Sequence, residues 1–157
     1  PGGPHIAAMA VKGNPEYVRF PRAWLDQKSI DFSFSGVKTA VLNHVYQQKL
    51  QNANLPIHDI CASFQEAIID VLVEKSLLAA ESYNIHTLVI GGGVSANQRL
   101  REVFTKRCLA EGIAFHAPTP KYCTDNAAMI ALAGYHKYAA YGASESDQDV
   151  YSRSQLG

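Results

Sequence analysis

Hydrophobic residues recur at helical spacing along two stretches of the chain. The longer stretch covers residues 58–83, where an apolar stripe indicates a long helix that packs against a sheet. A shorter stripe predicts a helix over residues 37–50, whose last turn is polar. The longer stripe consists of Ile60, Phe64, Ala67, Ile68, Val71, Leu72, Leu77 and Leu78.

Two short apolar runs predict the strands of a sheet. Residues 87–90 form a continuous apolar run, which is typical of a strand that is buried on both faces. Residues 113–116 form the second strand. Between them, a helix is predicted from a cap at Ser95 or Asn97 to about residue 111. This alternation indicates an α/β fold with a parallel core and right-handed crossovers.

The first forty residues carry weaker signals. Residues 17–20 and 30–34 are aromatic and β-branched runs, and they predict two strands paired as a loose hairpin. Residues 1–4 read PGGP, a turn that more often links two elements than begins a chain. Since the chain also lacks an initial Met, we interpret it as a piece of a longer protein.

Composition narrows the class of protein. The chain has 157 residues, of which 47% are hydrophobic and 18% charged, which suits one globular domain. Fourteen Lys and Arg balance fourteen Asp and Glu, and this balance disfavours a nucleic-acid-binding surface that extends over the whole protein. Three scattered cysteines form no disulfide framework, and no run is long enough for a membrane span, so we expect a cytoplasmic protein.

A glycine-rich loop, GGGVSAN at residues 91–97, follows the first predicted strand. Its glycines let the backbone approach a ligand, and the free N–H groups of the next helix favour anions. An amide at its end suits a ribose or adenine edge, although a tight turn with a capping Asn explains the loop equally well. The pattern is neither GxGxxG nor a Walker A loop. The candidate ligand residues are Gly91, Gly92, Gly93, Ser95 and Asn97.

The last predicted helix begins at Asp125 or Asn126 and ends at Tyr141. The sequence by itself favours Asp125 as the helix cap. The alternative is that its carboxylate binds a metal or organises water at a phosphate. Because this loop and the glycine-rich loop both follow strands, we expect them at one edge of the sheet.

Other candidate groups have ordinary structural interpretations. Lys38 lies in a small-residue turn where a phosphate is conceivable, but a capped turn is favoured. His44 falls on an apolar stripe, so we expect a core histidine with satisfied hydrogen bonds. No HxxxH or HExxH pair occurs. A basic group on one predicted helix is interpreted as a solvated face and consists of Arg99, Arg101, Lys106 and Arg107.

Together the motifs resemble the tRNA threonylcarbamoyladenosine transferase family of the bacterial TsaD type, also labelled O-sialoglycoprotein endopeptidase or glycoprotease. The resemblance covers nearly the whole chain. In order, the motifs are PGGP at 1–4, FSFSGVKTA at 32–40, ASFQEA at 62–67, GGGVSAN at 91–97 with LR at 100–101, and CTDNAAMIA at 123–131.

The resemblance implies a fold and an activity. The fold would be the two-lobed, ribonuclease H-like fold of actin-like ATPases, with residues 1–157 forming one domain, the second lobe, in which helices flank a mixed sheet. The family transfers a threonylcarbamoyl group from threonylcarbamoyl-AMP to an adenosine beside the tRNA anticodon. A fragment that lacks the first lobe is expected to be inactive alone.

The resemblance also implies site residues and partners. Gly3 and Asn97 match positions that contact the adenylate, and Asp125 matches a ligand of an iron-type metal. Its two partner ligands would be histidines in the absent N-terminal half, and three such ligands form a known iron-binding set. ATP is a further candidate ligand. Partners would be tRNA, an inactive paralog and a small ATPase, and an exposed sheet edge would let the fragment self-associate.

Three alternatives stay open. A carbamoyltransferase of the same fold would act on small molecules or maturation proteins. A metalloendopeptidase, as the older family label says, lacks support because neither HExxH nor a GxSxG elbow is present. A non-catalytic scaffold has no physical need for Asn97 or Asp125.

Overall fold

The structure is a computed structural model that describes residues 2–23, 29–51 and 54–143. The chain falls into two compact units, Pro1–Cys123 and Thr124–Gly157. The first unit holds four helices and two strands among its described residues, and the second holds one helix. The assignment of residues 1–157 to a single domain stays a prediction.

The four helices predicted from periodicity and caps are present in the structure, within a few residues of their expected bounds. An additional helix occupies the start of the chain. The helices are α1 (Gly2–Ala10), α2 (Ser35–Leu50), α3 (Ile57–Ser82), α4 (Gln98–Ala110) and α5 (Ala127–Tyr141), and the strands are β1 (Thr87–Val89) and β2 (Ala114–His116).

The two described strands pair in parallel, with Leu88 opposite Phe115 in the register. The α4 helix connects them, which confirms the predicted parallel α/β core. The expectation that the first strand is buried on both faces is wrong. Val89 is 69% exposed and Thr87 is exposed, whereas Leu88 is half-buried, because α3 and α4 cover one face only.

The core of the first unit lies on two sides of α3. One cluster joins α3 to α4 and the sheet, and Phe104 stacks there on Phe115 with ring centroids 5.3 Å apart. The other cluster joins α3 to α2 and to the segment before it, where Phe20 is buried. The expected packing of α3 near the sheet is present in the first cluster, and the second cluster adds a side of α3 that the sequence did not predict to be covered.

Two predictions for the first forty residues are wrong. Residues 2–4 form the first turn of α1 and not a linking turn, and Pro4 is tolerated there because a first turn needs no N–H bonds; Pro1 lies outside the described residues. Residues 17–20 and 30–34 are not strands. The backbone of the first run bonds elsewhere, since Val18 N–H donates to Ser63 Oγ at 3.1 Å.

In the second unit, α5 is apolar and its residues are exposed within the described structure. It ends at Gly142, whose φ of 77° suits a glycine after a helix. Among the residues that the structure describes, no helix is long and apolar enough to cross a membrane.

Candidate nucleotide site

A small open pocket of about 180 Å³ lies in the first unit, and both residues matched to adenylate contacts, Gly3 and Asn97, line it. Drug-sized ligands fill pockets of roughly 300–1,000 Å³, so this one suits a single ring system. Among the residues that the structure describes, the one other polar residue that lines it is Gln65. The remaining lining residues are apolar, namely Ile6, Ala7, Phe64, Ile68, Ile69, Leu72, Val94 and Leu100.

Asn97 has two roles at the edge of this pocket. Its Oδ1 accepts from the backbone N–H of Leu100 at 2.9 Å, so Asn97 is the N-cap of α4. Of the two predicted caps, Ser95 and Asn97, the structure therefore confirms Asn97. Its Nδ2 donates to Gln65 Oε1 on α3 at 2.7 Å. An amide has two N–H groups and two oxygen lone pairs, so one of each has no partner among the described residues and is available for a ligand.

The glycine-rich loop is a tight turn in the structure. Gly92 has a φ of 79°, a conformation that favours glycine, and Gly93–Ala96 forms a turn of 3-10 helix. Ser95 is buried, and its hydroxyl donates to the Gly92 carbonyl at 2.7 Å. Ser95 therefore holds the loop, while Gly91, Gly92 and Gly93 are exposed and leave the backbone open to an approaching group.

Arg101 links the loops that follow the two strands. Its Nε donates to the Ser95 carbonyl at 2.5 Å. Its Nη2 donates to the Pro118 carbonyl at 2.6 Å and to Cys123 Sγ at 3.1 Å. The loops after β1 and β2 thus meet at the carboxyl edge of the sheet, which confirms the predicted common edge as far as Cys123.

Asp125 is the second residue of the second unit, which begins at Thr124. It is exposed, and it is not the helix cap that the sequence favoured. Asn126 caps α5 instead, with its Oδ1 accepting from Met129 N–H at 3.1 Å. Within the described part of the chain, no group of three His, Cys, Asp or Glu side chains is placed to hold a metal. One exposed carboxylate does not by itself fit an iron site.

Comparison with known proteins decides the family. The sequence model of TsaD, described as tRNA N6-adenosine threonylcarbamoyltransferase, matches residues 1–132. This chain belongs to the TsaD family.

Curated relatives of the same description agree with this assignment. The protein from Desulfotalea psychrophila is 56% identical and covers all of this chain, which spans 46% of that relative. Those from Desulfitobacterium hafniense and Staphylococcus epidermidis are 53% and 45% identical over 88% and 89% of this chain. The chain therefore spans less than half the length of these TsaD relatives.

The interpretation of the basic group as a solvated face is confirmed for Arg99 and Arg107, whose side chains form ion pairs and are 46% and 37% exposed, but not for the half-buried Arg101. Arg99 Nη2 lies 2.6 Å from Glu66 Oε1, and Arg107 pairs with Glu74. Hydrogen bonding to these carboxylates is the main cause that raises the pKa of both arginines. Lys106 is exposed and takes no part in the ion pairs with Glu66 and Glu74, and Arg101 is half-buried.

Two smaller interpretations also change. His44 packs edge-on against the rings of Tyr17 and Phe20, but its buried Nε2 has no hydrogen-bond partner among the described residues, so it is not a satisfied core histidine. The turn before Lys38 is not side-chain capped, because the N-cap position of α2 is Phe34.

Sequence reasoning missed Gln65, which lines the pocket, and two residues that fix neighbouring elements, Arg101 as a loop link and Gly13. A Cβ on Gly13 would lie 2.0 Å from the His58 carbonyl oxygen, so a glycine is needed where the end of α1 meets α3. The ASFQEA motif contains Gln65 and was a usable signal. The hydrogen bond from Asn97, the cap of α4, to Gln65 could not be predicted from the spacing of residues along the chain.

Proposed function

We propose that this chain is the C-terminal part of a transferase that moves threonylcarbamoyl from threonylcarbamoyl-AMP to an adenosine beside the tRNA anticodon. The observation that carries the proposal is the pocket that brings Gly3 and Asn97 together within a member of the TsaD family. Since the chain spans less than half of its relatives, we expect it to be inactive alone.

The proposed fold is the second lobe of an actin-like ATPase. In support, a parallel pair of strands joined by α4 presents its carboxyl-end loops on one edge, where open α/β sheets bind ligands. Further strands in the whole protein would pair the free edge of each described strand, and a further layer would cover the exposed face opposite the helices.

The adenylate of threonylcarbamoyl-AMP, or ATP, is proposed to bind at the pocket. The apolar walls suit the base, and Asn97 has a free N–H and a free lone pair for a base or ribose. The exposed glycines of the loop leave backbone N–H groups accessible to a phosphate.

Asp125 is proposed to be one ligand of an iron-type metal whose two histidine ligands come from outside this chain. The support is its exposed carboxylate, which the neighbouring Asn126 releases from the capping role. When bound, such a metal would supply a Lewis acid. The described residues do not hold it unaided.

The proposed partners are tRNA, an inactive paralog and a small ATPase, in the cytoplasm. Self-association of the isolated chain is a further proposal, because each strand of the described sheet has one unpaired edge. Sedimentation equilibrium over a concentration series tests it. A dimer should form as the concentration rises, and a monomer throughout would contradict it.

The activity is best tested with a chimera in which this chain replaces the matching segment of the Desulfotalea psychrophila relative. The assay measures threonylcarbamoylation of tRNA together with the bound metal. We expect Asp125→Ala to abolish modification and to lower the metal content. The matched control is Thr124→Ala, next to it and also exposed, which should retain both.

Normal modification by the Asp125→Ala chimera would refute the metal assignment. The unaltered relative serves as the active reference. If it modifies tRNA and the folded chimera does not, the transferase assignment for this chain is refuted.

A further inference from the structure

The Asn97 amide is held at two points by two different elements. Its Oδ1 bonds to α4 through the Leu100 N–H, and its Nδ2 bonds to α3 through Gln65 Oε1. A single cap bond leaves the amide free to swing about its oxygen. A second bond from the nitrogen fixes the amide plane, so the unused N–H and lone pair keep one direction.

A neighbouring ion pair keeps Gln65 opposite Asn97. Glu66, the next residue on α3, accepts from Arg99 on α4 at both carboxylate oxygens, at 2.6 Å and 3.1 Å. Such two-point pairing adds geometric specificity to the contact between the helices. The register of α3 against α4 is thereby set one residue from Gln65 on α3 and two residues from Asn97 on the α4 side.

We propose that Gln65 is a positioning residue for nucleotide recognition: it orients the Asn97 amide so that a purine or ribose meets a preset donor and acceptor. This rests on the proposed nucleotide site. Gln65 lines the same pocket as Asn97. Any other orientation of Asn97 either breaks the cap of α4 or leaves Nδ2 without its acceptor on α3.

The variants separate the acceptor from the shape of the side chain. Gln65→Met keeps a similar length and removes the acceptor, whereas Gln65→Glu keeps an acceptor oxygen. Gln98→Met is the matched control, because among the described residues the Gln98 side chain bonds only to Glu102, on the exposed face of α4. Both AMP and adenosine are titrated. Adenosine has no phosphate, so the new carboxylate of Gln65→Glu cannot weaken its binding by charge repulsion.

Two measurements are made. In the 157-residue chain, NMR follows hydrogen exchange of the Asn97 side-chain amide, which Asn97→Asp assigns by removing its signals. We expect faster exchange in Gln65→Met and unchanged exchange in Gln65→Glu and Gln98→Met. In the chain and the chimera, calorimetry should give about 3–10-fold weaker adenosine and AMP binding for Gln65→Met, the loss expected for one hydrogen bond. Adenosine binding should be retained by Gln65→Glu.

The outcomes distinguish this inference from the proposed function. Unchanged Asn97 exchange in Gln65→Met, or unaltered adenosine affinity in that variant, would overturn the positioning role alone. If neither the unsubstituted chain nor the chimera binds adenosine or AMP, the nucleotide site itself is wrong and the positioning role falls with it. Faster Asn97 exchange together with weaker adenosine binding supports both.

Discussion

The contact at Gly13 gives a sharp test of how α1 is placed against α3. In Gly13→Ala the new Cβ would lie 2.0 Å from the carbonyl oxygen and 2.3 Å from the carbonyl carbon of His58. Both are backbone atoms, so no side chain can move aside. Non-bonded carbon contacts are favourable at about 3.5–4.0 Å, and the two segments must separate by roughly 1.5 Å.

The cost follows from what that separation disturbs. Overpacking of this kind costs roughly 1–3 kcal/mol. Two hydrogen bonds at the same junction would lengthen, from Asn14 N–H to Asp59 Oδ1 at 2.7 Å and between His58 Nδ1 and the Met9 carbonyl at 3.0 Å. At about 1 kcal/mol for a typical hydrogen bond, the free energy of unfolding should fall by about 2–4 kcal/mol.

Urea unfolding of the 157-residue chain measures this loss. The matched control is Gly36→Ala in α2, where a Cβ would meet nothing within 4 Å and a gain of about 0.4–1 kcal/mol is expected. Since α1 also carries Gly3, AMP binding should weaken in Gly13→Ala and not in Gly36→Ala. Equal stability of Gly13→Ala and the unsubstituted chain would refute the packing of α1 described above.

Two further predictions concern the half-buried Arg101 and the buried Cys108. Arg101→Met removes three hydrogen bonds that join the loops after β1 and β2, so it should lower the free energy of unfolding by about 2–3 kcal/mol. Arg101→Lys should have an intermediate free energy of unfolding. An unchanged urea midpoint in Arg101→Met would contradict the link between the loops. Burial raises the pKa of Cys108, an effect that the charge of Arg107 partly opposes. The folded state then holds this proton more tightly, so its contribution to stability is full below the unfolded pKa of about 8.5 and is lost as pH rises through the higher folded value. Unfolding measured from pH 7 to pH 10 should therefore show a steeper loss in the unsubstituted chain than in Cys108→Ala, and equal slopes would argue against the buried thiol.

Much of the helical structure was predictable because it depends on local sequence. The stripe from Ile60 to Leu78 predicts α3, and its bounds agree within one residue of the expected ones. Asn97 and Asn126 are short polar side chains that accept from the first helical turn, so they mark where α4 and α5 begin. The resemblance of the motifs to the TsaD family was likewise confirmed.

The predictions that failed depended on distant partners. A strand needs a neighbour, but in the run at residues 17–20 the Val18 N–H donates to Ser63 of α3, and Phe20 is buried against α2 and α3. The exposure of Val89 depends on which helices cover the sheet, which spacing along the chain does not determine. For the same reason, the Gln65–Asn97 bond between α3 and α4 was not foreseen.

The central claim is that the pocket beside Asn97 binds the adenylate, and the most direct test is calorimetric titration of AMP into the chain and the chimera. The decisive variant is Asn97→Ser, which keeps a side chain that caps α4 but lacks the amide. Asn126→Ser, which alters the cap of α5 in the same way, is the control. We predict that Asn97→Ser loses AMP binding while Asn126→Ser retains it. AMP binding by Asn97→Ser with the affinity of the unsubstituted protein would contradict the claim.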